Sequence, residues 1–328
     1  MPFNNVISRN DAVALIPNEV SAEIIKNLAA SNPLLTMARR LPNMSRATRM
    51  MPVMSALATA YFVNGDTGLK QTTELNWAGV NIHAEELAAI VPIPEAVLDD
   101  ADYDIWGEVR PAIEEALGVA IAQAVLYGVN IPASWATDLG GAGIAIAAAA
   151  GGAAPAGHVI SQAAYADLYE AILGETDGGV DGAFMVVEAD GFEVTGSIGH
   201  ISMKGRLRNC RDVNGLPIFT GAPAGAVDYR LGGVPIAFPN DGSIVAANSL
   251  LIAGDWSKLV YAMRQDITYK VLDQAVIQDA AGNIVYNLAQ QDMVALRAVM
   301  RLGFALPNPI NRVNPVAATR YPFCIMTA

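Results

Sequence analysis

Two long runs of alternating apolar and polar residues in the last quarter of the chain constrain its fold more than any other feature. Such period-two alternation is typical of half-buried strands. In the first run the residues on one face are Leu259, Tyr261, Met263, Ile267, Tyr269 and Val271. In the second they are Val294, Leu296, Ala298, Met300, Leu302 and Phe304, with Arg297 and Arg301 on the other face. A turn signal at 279–283 separates the runs, so the sequence predicts an extended two-stranded ribbon.

The first fifty residues are basic, although the chain as a whole has a formal net charge of −12. They contain six basic and three acidic residues, and Arg39, Arg40, Arg46 and Arg49 lie among prolines that favour extended backbone. Residues 21–29 predict a short helix with Ile24, Ile25 and Leu28 on its apolar face. This pattern predicts an arm whose arginines contact acidic patches of adjacent molecules or DNA. The alternative is a solvated loop whose arginines pair locally.

Residues 57–93 predict a β-hairpin. One strand alternates at Leu57, Thr59, Tyr61 and Val63, a turn occupies 64–68, and the chain returns through Leu75, Trp77, Val80 and Ile82. A phase slip at Gly79 indicates a bulge. The turn and the polar residues 70–74 contain few apolar side chains that could form a core. Because an isolated two-stranded ribbon is marginal in water, we expect another surface to support it.

Two helices are predicted after the hairpin, a short one from Pro94 and a long one opened by Asp102 or Asp104. The apolar residues of the long helix repeat every four positions at Ile105, Val109, Ile113, Leu117, Ile121 and Val125. About 24 residues at ~1.5 Å each would span ~36 Å. Pro111 predicts a kink or a later start of the helix, because its nitrogen cannot donate a hydrogen bond.

The middle of the chain, from about 131 to 250, predicts a mixed α/β unit. Ser161 is placed to cap a helix, 184–187 reads as a short buried strand, and 190–193 has capping-box spacing for another helix. Asn214 and Gly215 predict a hairpin turn. The Ala/Gly tract at 140–157 has few large apolar residues, so it predicts a flexible loop with an adjoining strand or helix and not a membrane span.

Residues suited to catalysis or metal binding are sparse. The three histidines, His83, His158 and His200, are far apart, and the two cysteines have no CxxC spacing. Gly141 and Gly143 begin like a dinucleotide-binding turn, but Ile146 occupies the third glycine position. We therefore predict no catalytic, cofactor-binding or metal-ligating residues. The acidic balance argues against a nucleic-acid-gripping surface, and residues 1–10 lack the apolar core of a signal peptide, so neither membrane association nor export is expected.

The succession of these segments resembles the major capsid proteins of tailed bacteriophages, which share the Hong Kong 97-type fold. The resemblance covers about 17–304: an entry segment with basic residues, a polar hairpin, an acidic-capped long helix, a Gly-rich middle, the Gly254-Asp255-Trp256 strand and the arginine-containing strand. It implies an α+β fold with an N-terminal arm (1–30), a peripheral domain containing a spine helix and a β-ribbon (31–54, 86–130 and 258–315), an extended hairpin loop (55–85) and an axial α/β domain (131–257 and 316–328).

The resemblance implies a shell subunit that self-assembles as pentamers and hexamers into an icosahedral head. This head would enclose double-stranded DNA without sequence-specific binding. The expected inter-subunit contacts are Arg39, Arg40, Gly65, Lys70, Trp77, Arg297 and Arg301. Further partners implied are a portal, possible decoration proteins and a scaffolding protein, which we expect to be separate because recognisable capsid sequence starts by about Pro17. The implied location is the phage head, after synthesis in the bacterial cytoplasm.

Lys70 raises a more specific hypothesis. In the founding member of the family, a loop lysine bonds covalently to an asparagine of a neighbouring subunit with the help of a buried glutamate. This chain offers Asn308, Asn311 and Asn314, but none aligns with that role. We therefore expect Lys70 to make a screened, non-covalent contact.

Two other functions remain open at this point. An encapsulin-type nanocompartment shares the fold but encloses enzyme cargo in a smaller cage. An acidic α/β enzyme would instead be a monomer or small oligomer with one concave polar pocket.

Overall fold

The computed structural model describes residues 33–63, 68–100, 105–165, 167–174, 181–211, 216 and 229–328. Its α-helices are α1 Pro33–Met37, α2 Glu95–Asp100, α3 Ile105–Tyr127, α4 Ala133–Asp138, α5 Leu168–Leu173, α6 Ala183–Ala189 and α7 Met203–Arg208. Its strands are β1 Arg39–Arg40, β2 Thr48–Ala56, β3 Asn76–His83, β4 Glu85–Pro94, β5 Val159–Ser161, β6 Gly196–Gly199, β7 Arg230–Leu231, β8 Val234–Ala237, β9 Leu251–Gly254, β10 Val260–Leu272, β11 Val276–Gln278, β12 Ile284–Asn287, β13 Met293–Ala305 and β14 Phe323–Thr327.

The two predicted long strands are confirmed as β10 and β13, the centre of a four-stranded sheet with the order β1-β10-β13-β4. They pair antiparallel from Val260↔Ala305 to Leu272↔Ala295. The predicted apolar face of both strands packs into the main core, while Arg297 lies exposed on the other face. The turn predicted at 279–283 is also confirmed, because it joins β11 to β12 and the Asp279 carboxylate accepts the backbone N–H groups of Ala281 and Asn283.

The long helix α3 has 23 residues and covers the apolar face of this sheet. Ile113, Leu117, Ile121 and Val125 are all buried, as their four-residue spacing predicts. Pro111 lies inside the continuous helix, so the alternative of a later helix start is wrong. Positions 102 and 104 lie outside the described residues. The short helix predicted from Pro94 is α2, which begins one residue later.

The hairpin exists, but its bounds differ from those predicted. Its ladder pairs β2 with β3, from Thr48↔His83 to Ala56↔Asn76, so it begins nine residues before Leu57. The predicted strand at 57–63 is wrong, since the structure assigns no strand there. The register is continuous through Pro52↔Gly79 and shifts between Met54 and Ala56, so the bulge predicted at Gly79 is also wrong. Alternation alone did not identify which residues have a pairing partner.

A six-stranded mixed sheet with the order β5-β14-β9-β6-β8-β7 forms the second layer of the fold. Its two faces bury different side chains. Ile198, Ile252, Phe323 and Ile325 join the core beneath α3, whereas Leu251, Ala253, Cys324 and Met326 pack with α5, α6 and α7. Trp256 closes the first core from the loop after β9, where its indole N–H donates to the carbonyl of Gly196 at 3.0 Å.

Three predictions in the middle of the chain need correction. Residues 184–187 belong to helix α6 and not to a strand, because Phe184 and Val187 are buried at helical spacing. No helix begins at 190–193; Asp190 instead follows α6 and binds distant residues. Ser161 caps only the short 3₁₀ turn Gln162–Ala164, and α5 is separate from it. The helix predicted at 21–29 and the turn at Asn214 and Gly215 lie outside the described residues.

The Ala/Gly tract at 140–157 is a loop, as predicted, and its backbone is compact. It contains two 3₁₀ turns, and its backbone closes on itself through Ala142 N–H to Gly151 O at 2.7 Å. A side chain at Gly141 would meet the Gly152 carbonyl carbon at 2.3 Å, which explains the small residues. Among the described helices, none is long and apolar enough to span a membrane.

Candidate functional site

An apolar strip covers one face of the β2–β3 hairpin. We define the hairpin strip as Met50, Pro52, Met54 and Trp77, which the strand register places on the same face. Met50 is 70% exposed and Trp77 is 64% exposed. Gly79 makes room for Met50, since a Cβ at Gly79 would meet the Met50 sulfur at 2.8 Å. The predicted contact residue Trp77 therefore lies at the end of a larger exposed surface, whose methionines the sequence analysis missed.

Beyond this ladder the two arms of the loop continue side by side without strand pairing in their described residues. The Thr59 N–H donates to Thr73 Oγ1 at 2.9 Å, and the Tyr61 hydroxyl donates to the Gln71 carbonyl at 2.9 Å. Phe62 and Leu69 are almost fully exposed, and Lys70 is exposed next to Leu69. Gly65 lies outside the described residues. Exposed large apolar side chains on a narrow ribbon are typical of a surface that a partner covers.

The base of the hairpin rests on the four-stranded sheet. Ile82 packs with Val260, Ala262 and Ala305 in a small separate core. Here β3 passes so close to β13 that a side chain at Gly303 would meet the His83 carbonyl oxygen at 2.4 Å. Below it the buried Asp138 carboxylate accepts the His83 backbone N–H at 2.9 Å. The base is therefore fixed by packing and by buried polar contacts.

The segment 306–320, which we call the C-terminal loop, ties the hairpin to the rest of the subunit. Its Ile310 N–H donates to the Met54 carbonyl at 3.3 Å, and Arg312 donates to the Ala58 carbonyl at 2.5 Å. An open groove of about 450 Å³ lies between this loop and the hairpin, lined by Val53, Val80, Leu306, Ile310 and Arg320 among others. The C-terminal loop therefore helps to set the direction in which the hairpin leaves the subunit.

The three asparagines considered as partners for a lysine are all engaged within the subunit. Asn308 donates to the Arg320 carbonyl at 2.7 Å, and its own side-chain oxygen accepts from Arg320. Asn311 donates to the Asp190 carbonyl and Asn314 to the Asp190 carboxylate, both at 2.7 Å. These side chains hold the C-terminal loop in place.

Asp190 is the centre of a buried polar cluster, which we call the Asp190 hub. Its carboxylate accepts the Tyr321 N–H at 2.6 Å, and the His158 Nε2 atom lies 2.9 Å from its Oδ2 atom. Burial lowers the pKa of His158, although the Asp190 charge opposes that shift. The hub joins the end of α6, His158 just after the Ala/Gly tract, and the C-terminal loop.

The remaining predicted contact residues lie on the four-stranded sheet. Arg39 and Arg40 form the edge strand β1, pair in parallel with Val260 and Tyr261 of β10, and point into solvent. Arg301 donates to the Glu86 carboxylate through Nε at 2.9 Å. Arg297 is exposed opposite Lys270. The structure thus places Trp77 and Lys70 on the hairpin and the four arginines on this sheet, so it does not gather them into one site.

Metal-ligating clusters are absent from the part of the chain that the structure describes, where no group of three or more His, Cys, Asp or Glu side chains could hold an ion. His83 and His158 each contact an aspartate. Cys210 and Cys324 are free thiols, and burial raises the pKa of both.

The two-sheet fold, with a long helix and a projecting hairpin, defines a shell subunit of the Hong Kong 97 type. Solved chains from Microbacterium phage Oxtober96 (32% identical, TM-score 0.73) and Mycobacterium phage Cain (28%, TM-score 0.72) are similar to it, each over 98% of both chains. The major capsid protein of Staphylococcus phage 80alpha is 22% identical over 303 residues, covering 91% of this chain and 84% of that protein. The model of the phage capsid family matches residues 13–312, and the chain belongs to that family.

These matches confirm the resemblance, the α+β capsid fold and the function of a major capsid protein in the virion head. They support that function and give no support to a nanocompartment or an enzyme. Capsid family membership also means that copies of the chain assemble into a shell.

Proposed function

We propose that the chain assembles as pentamers and hexamers into a closed icosahedral shell around the double-stranded DNA of a tailed phage. The observation that carries this proposal is the hairpin strip, which leaves methionine and tryptophan side chains in water on a ribbon that projects from the subunit. A closed symmetric shell repeats such contacts without leaving unpaired surfaces. A standard protein interface buries on the order of 1,600 Å² in total.

The proposed inter-subunit contacts belong to three groups. Trp77, Gly65 and Lys70 act through the hairpin, and Arg39 and Arg40 act from the sheet edge. Arg297 and Arg301 act from the face of the sheet that is turned away from α3. Several modest contacts to different neighbours would stabilise the shell through avidity. Since Asn308, Asn311 and Asn314 are each hydrogen-bonded within the subunit, we propose that Lys70 acts non-covalently.

We also propose the division into an arm at 1–30, a peripheral domain (31–54, 86–130, 258–315), an extended loop (55–85) and an axial domain (131–257, 316–328). The four-stranded and six-stranded sheets have no strand in common, which supports this division. We propose further that the subunit has no enzymatic activity. Scaffolding and portal functions come from separate proteins in this proposal, and decoration proteins can bind the outside of the shell. The net charge of −12 favours DNA that is enclosed without specific binding.

Assembly of the purified chain, alone and with a cognate scaffolding protein, tests this proposal. We expect closed shells by sedimentation and by electron microscopy, with fivefold and sixfold capsomers resolved in the reconstruction. A variant that lacks residues 64–73 should fold with the same circular dichroism spectrum and fail to form stable shells. A chain that stays monomeric under all assembly conditions, or a deletion variant with shells of normal stability, would contradict the proposal.

A further inference from the structure

On the face of the four-stranded sheet that is turned away from α3, Lys270 and Arg297 have no carboxylate partner among the described residues. We call this face the outer face and define it by Glu86, Ile90, Thr268, Lys270, Arg297 and Arg301, which the register of β10, β13 and β4 places in three rows across the strands. One row contains Arg301 and Glu86, and the row next to it contains Thr268. Another contains Lys270, Arg297 and Ile90.

These two rows differ in how their charges are balanced. Arg301 stands opposite Glu86 and donates to its carboxylate. Lys270 and Arg297 stand directly opposite each other, and the next position in the row is the apolar Ile90, which is 45% exposed. Within the described residues neither cation has a carboxylate at ion-pair distance. The subunit thus balances one row by itself and leaves the other unbalanced.

Like charges that face each other across paired strands destabilise a sheet. An anionic partner removes this repulsion and gains two charge-assisted contacts. The exposed Ile90 beside the pair adds an apolar contact at the same place. Two cations next to one aliphatic side chain suit a protein carboxylate on a partly apolar surface, whereas a DNA backbone offers phosphates and no apolar complement to Ile90.

The structure also favours a second copy of this chain as the partner. The subunit has 32 acidic and 20 basic residues, so a neighbouring copy offers more carboxylates than cations. One end of the outer face is already covered by the base of the hairpin, where Ile82 packs on Val260 and Ala262. The open part of the face is therefore continuous with the element that we propose as a subunit contact.

We propose that Lys270 and Arg297 form the receiving site for a carboxylate of a neighbouring copy in the shell. This inference rests on the proposed assembly, and it names the sheet face and the partner group that the assembly uses. The neighbour completes a charge row that the single subunit leaves unbalanced. The contact therefore forms in the shell and is absent from a free subunit.

Cross-linking with a water-soluble carbodiimide tests the proposal, because this reagent joins a lysine amine to a carboxylate in contact with it. Shells are assembled from a mixture of ¹⁴N- and ¹⁵N-labelled subunits, cross-linked and digested for mass spectrometry. We expect peptide pairs of mixed isotope that join Lys270 to an aspartate or glutamate. Lys258 is the matched control, since its amine lies 3.5 Å from Asp255 of the same copy and should give pairs of a single isotope.

A substitution provides an independent measurement. Arg297→Glu places a carboxylate opposite Lys270 within the subunit, so the unfolding midpoint of the free subunit should stay the same or rise. The same change should raise the subunit concentration needed for assembly ~10-fold at low salt, with a smaller effect at high salt. Arg297→Lys keeps the charge and should assemble within about twofold of the unchanged chain. A lower midpoint and unchanged assembly for Arg297→Glu would overturn the proposal.

Two further outcomes would also overturn it. One is the absence of mixed-isotope pairs at Lys270 in shells that form normally. The other is protection of Lys270 from acetylation only in DNA-filled shells and not in empty ones, which would assign the face to DNA. If no shells form at all from the unchanged chain, the proposed assembly itself fails, and this result is distinguishable from both.

Discussion

The carboxylate of Asp190 accepts the backbone N–H of Tyr321 at 2.6 Å, although 131 positions separate the two residues. The same carboxylate accepts from Asn314, and the backbone carbonyl of Asp190 accepts from Asn311. Asp190 is only 7% exposed. A single side chain thus holds the segment that leads into β14 against the end of α6.

The first prediction concerns this hub. Asp190→Ala leaves the Tyr321 N–H and the Asn314 amide without their buried acceptor, which we expect to lower the free energy of unfolding by about 3 kcal/mol. Glu188→Ala, at an exposed position of α6, should change it by less than about 0.5 kcal/mol. Urea unfolding of the unassembled subunit measures both. Equal stability of the two variants would contradict the hub's structural role.

The second prediction concerns pH. Burial lowers the pKa of His158 below its ordinary value of 6.5, so in the range just below pH 6.5 the unfolded chain binds a proton that the folded chain does not. The free energy of unfolding should therefore fall as the pH drops below about 6.5, and the fall should end at the lower pKa of the folded state. The variant His158→Gln should show less of this dependence, whereas His200→Gln, at a more accessible histidine, should retain it. Urea titrations at several pH values compare the three chains.

A third prediction tests the hairpin strip. Trp77→Ser removes a large exposed ring without disturbing the subunit core, so circular dichroism should be unchanged. Its shells should be weaker by about 2 kcal/mol per contact, measured as a higher threshold concentration for assembly. Trp77→Phe keeps most of the apolar area and should assemble nearly normally. Wild-type assembly of Trp77→Ser would exclude Trp77 as a contact.

The fourth prediction concerns Lys70. Since Asn308, Asn311 and Asn314 are all bonded within the subunit, boiling mature shells in detergent should release monomers near 34.4 kDa. Lys70→Ala shells should give the same gel pattern. A ladder of heavier species that disappears in Lys70→Ala would instead identify Lys70 as the reacting amine.

A fifth prediction concerns the close approach at Gly303. A methyl group there would meet the His83 backbone, so Gly303→Ala should lower the free energy of unfolding by about 1–3 kcal/mol. Gly205→Ala is the matched control, because it lies within α7 and a Cβ there has no atom within 4 Å. That change should raise the free energy of unfolding by about 0.5–1 kcal/mol. Thermal unfolding of both variants should show shifts of opposite sign.

The elements that sequence reasoning identified are those whose pattern is long. The alternation in β10 and β13 and the four-residue repeat of α3 run over enough residues to separate strand from helix. The short apolar run at 184–187 could be either, and it is helical because both Phe184 and Val187 face the second core. Local spacing made Asp190 resemble a helix cap, while its actual partners are more than a hundred positions away.

The candidate contacts were predictable only in part for the same reason. Trp77 and the arginines stand out by residue type. Met50, Pro52 and Met54 share a face by strand alternation, but only the pairing of β2 with β3 places Trp77 beside them. The imbalance between Lys270 and Arg297 likewise depends on the register of two strands that are joined by a long connection. Cross-strand neighbours of this kind cannot be read from a single segment.

The C-terminal loop binds two parts of the subunit through neighbouring residues: Ile310 and Arg312 bind the hairpin, while Asn311 and Asn314 bind Asp190 of the hub. A pull on the hairpin is therefore resisted by the interior of the six-stranded layer as well as by its own base. In mechanical terms the hairpin is a cantilever that the C-terminal loop braces. Outward pressure on a shell wall built from such subunits would therefore be distributed along hydrogen bonds inside each subunit.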